Sequence, residues 1–79
     1  MHPPEGRIPR DSFINKIRLL GYAFKRTHPR REMWRRSNPL HKMYVPRPQY
    51  LAEGDVRQML RQAGVPKQEI DDFVNAARV

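Results

Sequence analysis

From Asp11 onward the apolar and polar positions fall into two distinct rhythms. Phe13, Ile14, Ile17 and Leu20 recur at helical spacing, Asp11 or Ser12 stands where a cap belongs, and Gly21 offers the left-handed position that ends a helix. The pattern predicts a helix over residues 12–20. Tyr22 to His28 then alternates, with Tyr22, Phe24, Arg26 and His28 on one side and Ala23, Lys25 and Thr27 on the other, as in a half-buried strand. Pro29-Arg30 reads as a turn, Arg31 to Arg36 as a second strand, Ser37-Asn38-Pro39 as another turn, and Leu40 to Val45 as a third strand. Short strands joined by tight turns predict an antiparallel meander. Pro46 and Pro48 stop the last one, because proline donates no ladder hydrogen bond, and the run to Gly54 is expected to be a surface loop.

Helical spacing returns after Gly54. Val56, Met59, Leu60 and Ala63 form an i, i+3, i+4, i+7 stripe that Asp55 can cap, Gln58 sits where a capping box needs it, and Gly64 ends the run. Pro66 suits a first helical position, and Ile70, Phe73, Val74 and Ala77 repeat the stripe to the end of the chain. Residues 1–10 hold Pro3, Pro4, Gly6 and Pro9 with little to bury, and read as a flexible lead-in to a single domain over 11–79. The expectation is an α+β protein of αβββα order, a three-stranded antiparallel meander with helices on one face and a further C-terminal helix.

A chain of 79 residues supports one domain, and the absence of cysteine excludes disulfides and thiolate chemistry, so stability must come from packing. Apolar runs are too short for a membrane span or a signal peptide, and a cytoplasmic location with no membrane partner is expected. Charge changes the picture most. Between Lys25 and Arg47 eight cations (Lys25, Arg26, Arg30, Arg31, Arg35, Arg36, Lys42 and Arg47) face Glu32 alone, which accounts for most of the net charge of +8. Ordinary solvated surfaces mix both signs. A one-signed run interleaved with Trp34 and Tyr44 suits a polyphosphate partner, because each neutralised phosphate releases a condensed counterion. The other reading is solvation and protection of a strand edge.

Several of these residues carry a resemblance. The Leu20-Gly21-Tyr22 junction, the basic strand, Trp34, Met43-Tyr44-Val45-Pro46-Arg47, and Asp55 to Val65 with its Gln62-Ala63-Gly64 ending resemble the HicA family, the messenger-RNA-cleaving toxins of HicA/HicB toxin–antitoxin pairs. The resemblance spans about Ser12 to Val65. It implies a double-stranded-RNA-binding-domain-like αβββα fold, RNA as the partner, and an acidic HicB-like antitoxin. The family's catalytic histidine lies in a Gly-Ser-His motif, and Pro29, Arg30 and Arg31 stand at those positions here.

Metal-free RNA cleavage needs a base, an acid and cationic stabilisation of the transition state, and arginine serves only the last. Histidine serves the first two, and the chain offers His2, His28 and His41. His28, three residues before the family's histidine position, is the candidate catalytic residue, with a solvated strand-end histidine as its other reading. No metal-ligand spacing and no phosphate-binding glycine loop is present, so no cofactor is expected. A lone tryptophan in so small a chain is more often core than stacking platform, and the same holds for Tyr44. Tyr22, Phe24, Phe13 and Phe73 are expected in the core, with Met33, Met43 and Met59 packing beneath the helices. Three functions follow: a basic β-hairpin that grips RNA phosphates, an endoribonuclease working through His28, or a non-catalytic module that docks an acidic protein.

Overall fold

The computed structural model describes residues 6–79. Its elements run β1 (Arg7–Pro9), α1 (Arg10–Leu19), β2 (Ala23–Thr27), β3 (Arg31–Ser37), β4 (Leu40–Pro46), β5 (Tyr50–Ala52), α2 (Glu53–Gln62) and α3 (Lys67–Ala77). The class is α+β. The expected antiparallel meander β2-β3-β4 forms, although the alternation read for its first strand is interrupted between Phe24 and Arg26, and a separate two-stranded sheet joins β1 to β5.

That second sheet corrects two expectations. Residues 7–9 are not a frayed lead-in: Ile8 is completely buried, Arg7 pairs with Ala52, and the Val79 amide donates to the Arg7 carbonyl at 3.0 Å. The run from Pro46 to Gly54 is likewise not all loop, since Tyr50–Ala52 supplies the partner strand. Residues 1–5 lie outside the described residues.

Helix starts differ too. α1 begins at Arg10 with Pro9 before it, and α2 begins at Glu53 with Ala52 before it, so Asp11 and Asp55 sit inside the first turn instead of capping it. β1 and β5 feed directly into these helices, and strand geometry at Pro9 and Ala52 takes the place of a side-chain cap. α3 starts at Lys67, with Pro66 as the residue before the helix. The helix ends follow expectation: Gly21 and Gly64 have φ of 97° and 89°, and the amides of Tyr22 and Val65 reach back to the carbonyls of Ile17 and Leu60 at 3.0 Å. Only glycine takes that conformation without strain.

Partners across the ladder share a face, so Trp34, Met43 and Val45 lie together on one side of the meander. That side meets Phe13, Ile14 and Ile17 of α1, Val56 and Leu60 of α2, and Ile70 and Val74 of α3 in a single core. Among the described residues the opposite face carries no helix. Among the described residues no helix is long and apolar enough to cross a membrane.

Candidate nucleic-acid interface

The ladder register decides which cations gather. Arg31, Met33 and Arg35 of β3 pair with Pro46, Tyr44 and Lys42 of β4, so all six occupy the open face. On β2 the alternation is broken: Phe24 pairs with Trp34, yet Arg26 pairs with Met33, leaving Lys25 in a bulge. An extra residue re-aims everything after it. Phe24 therefore stays on the helix side, and Arg26 moves to the open face. His28 follows, with its ring edge-on to Tyr44 at a centroid distance of 5.8 Å.

The open face thus holds Arg26, Arg31, Arg35 and Lys42, all exposed, with His28 and Tyr44 between them. Arg30 in the β2–β3 turn and Arg47 just past β4 stand at its rim, since Arg31 and Pro46 are directly paired. Arg36 does not join them. It lies on the helix side opposite His41, where its guanidinium donates to the carbonyls of Pro39 at 3.0 Å and Ala63 at 2.9 Å and covers the Tyr22 ring at 5.0 Å. Arg36 closes the C-terminal end of α2 onto the sheet.

Ion pairing separates the cations more sharply than position does. The six ion pairs among the described residues use Arg10, Lys16, Arg57, Lys67 and Arg78. Lys25, Arg26, Arg30, Arg31, Arg35, Lys42 and Arg47 take part in none of them. The acid of the segment, Glu32, faces the helix side and pairs with Arg10. Burial pushes its carboxyl up, but hydrogen bonds from Arg10 and Trp34 and the charges of Arg10 and Arg47 outweigh that and hold it below the ordinary range.

The histidines are separated. His41 shares the helix side with Arg36, and its Nδ1 lies 2.7 Å from the Tyr22 hydroxyl. Burial raises the Tyr22 pKa, and the charge of Arg36 lowers it in part. His28 is on the other face, so the two do not form an acid/base pair, and His2 lies outside the described residues. Phe24 and Tyr44 are 48% and 46% exposed, which overturns the expectation of core for both, whereas Trp34 is buried. Met33 is buried on the open face, not beneath the helices.

A cleft of roughly 600 Å³ lies on the helix side, between α1 and the β2 edge. It was not anticipated. Asp11, Asn15 and Arg18 line it at i, i+4 and i+7, a spacing that puts them on one face of α1, together with Arg10 and Phe24. The polar spacing of α1 was the available signal, and the reading of Phe24 as core hid the aromatic that completes the cleft. In comparisons with known proteins, no family model matches the chain and no curated protein matches it in sequence.

Proposed function

We propose that the protein grips RNA by its phosphates on the open face of the meander, with Arg26, Arg31, Arg35 and Lys42 as the central contacts and Lys25, Arg30 and Arg47 at the rim. One observation carries this reading: seven cations of one strand-rich segment are free of ion pairs among the described residues, and four of them share a sheet face that contains no acid. Cations held without counter-charges repel one another, and a polyanion relieves that repulsion while releasing its own counterions. The resemblance to HicA toxins favours RNA over DNA and the double-stranded-RNA-binding-domain-like reading of α1 through α2. It also makes an acidic HicB-like antitoxin a competitor for the same face.

A second reading is cleavage. It is favoured by His28 and Tyr44 lying together among the phosphate contacts, where an imidazole base and neighbouring guanidinium groups have the chemistry that attack by a ribose 2′-hydroxyl requires.

Anisotropy of a labelled mixed-sequence RNA, followed by a denaturing gel of the same sample, tests both. Arg31→Glu with Arg35→Glu is expected to weaken binding by at least about tenfold, in keeping with the loss and reversal of two phosphate contacts. Unchanged affinity would remove the open face from the interface. Intact RNA after incubation supports binding alone, whereas fragments that disappear with His28→Ala support cleavage.

A further inference from the structure

We infer that the cleft between α1 and the β2 edge is a nucleobase pocket, which takes one unpaired base of the strand held on the open face. The inference rests on the RNA-binding reading and deepens it.

The open face and the cleft differ in chemistry. The open face is one-signed, whereas the charged groups lining the cleft balance, with Arg10 and Arg18 against Asp11 and Glu32. A balanced lining does not select phosphate. It suits an uncharged, flat, polar group. Phe24 is half exposed and meets the Trp34 ring edge-on at 5.8 Å, while the Arg18 guanidinium lies 5.4 Å from the centroid of the same ring. Exposed aromatic rings and guanidinium planes are the surfaces on which unpaired bases stack. The cleft is shallow and open to solvent, a shape that suits stacking of a flat group more than enclosure of a compact ligand.

Glu32 supplies direction. Arg10 Nη2 and Trp34 Nε1 both donate to its Oε1, and among the described residues no side chain donates to Oε2. A carboxylate oxygen in this position favours a base that presents an amino group, namely adenine, cytosine or guanine. Uracil offers its ring N–H only between two carbonyl oxygens, which the carboxylate repels.

Continuity links the cleft to the phosphate path. Phe24, Lys25 and Arg26 are consecutive, and the bulge puts Phe24 on the cleft side and Arg26 on the open side of one edge strand. A backbone crossing that edge at Lys25 can leave its phosphates on the open face and turn one base inward over Phe24.

Trp34 is the protein's one tryptophan and reports on the cleft directly. The experiment titrates the full chain with AMP, GMP, CMP, UMP and ribose 5-phosphate, reading tryptophan emission. The expected result is saturable quenching by AMP, GMP and CMP, several-fold weaker quenching by UMP and none by ribose 5-phosphate. Phe24→Ala should weaken mononucleotide binding by at least about fivefold, and so should Arg18→Ala, an independent exposed position. Equal response to nucleotides and ribose 5-phosphate, or no saturable change, would overturn the pocket. Quenching by free arginine in place of nucleotides would also overturn it and indicate a protein side chain as occupant. RNA binding that survives without mononucleotide binding sinks only the pocket. Mononucleotide binding without RNA binding sinks the open-face reading and keeps the pocket.

Discussion

Arg36 shows how one residue can share the sequence character of a basic cluster and have a different task. It stands beside Arg35 in the basic run, but its bonds to the Pro39 and Ala63 carbonyls and its place over Tyr22 make it the tie between α2 and the sheet. Substitution to alanine leaves the Ala63 carbonyl without its protein donor. Two hydrogen bonds from a charged donor in a partly exposed setting are worth about 1–2 kcal/mol together. In a domain of this size each kcal/mol corresponds to roughly 4–8 °C in melting temperature. Arg36→Ala is therefore expected to lower the thermal midpoint by about 5–15 °C in a circular dichroism melt while RNA affinity falls less than with Arg35→Ala. An equal loss of affinity for the two variants would return Arg36 to the interface. Nothing in the spelling Arg35-Arg36 separates the two residues beyond the rule that neighbours on a strand face opposite ways, and only the ladder register says which faces the core.

At the scale of elements, the long periodic segments were legible and the short ones were not. α1, α2, α3 and the three meander strands each repeat a pattern over several residues, and both glycine helix ends were marked by residue type. β1 and β5 have three residues each, too few for an alternation, and prolines surround them. What identifies them is Ile8 and Leu51 buried across from each other, a contact between segments far apart in the chain that local pattern does not express. β2 was legible as a strand, but its facing was not, because the bulge at Lys25 carries no composition cue. The bulge yields a sharp expectation. Removing Lys25 restores a regular ladder with Phe24 and Arg26 on the faces they already hold, so the deletion should keep the fold and cost about 1 kcal/mol or less in urea unfolding. In a strand without a bulge the same deletion would turn Arg26, Thr27 and His28 to the wrong faces, with a far larger loss. A severely destabilised deletion variant would contradict the register.

Across the whole molecule the charges are segregated. Acidic side chains on the helices hold Lys16, Arg57, Lys67 and Arg78 in ion pairs, and among the described residues the cations of the open sheet face take part in none. The amount of basic surface was readable from composition, but its aim was not. On the proposed RNA-binding reading, this distribution sets how binding responds to salt. For a single strand the logarithm of affinity falls with the logarithm of salt at about 0.7 per phosphate neutralised. If only Arg26, Arg31, Arg35 and Lys42 engage phosphates, the slope should be about −3, and if Lys25, Arg30 and Arg47 at the rim engage as well, about −5. Anisotropy titrations of a short single-stranded RNA across a salt series distinguish these values. Changing the three rim residues to glutamine then assigns the difference: a slope that moves from about −5 to about −3 places phosphates at both the bulged β2 edge and the hairpin end. That is the path a strand needs if it is to lie on the open face and pass the mouth of the cleft beside Phe24. A slope near −3 unchanged by the rim substitutions confines the strand to the central face, where its bases have no route around β2.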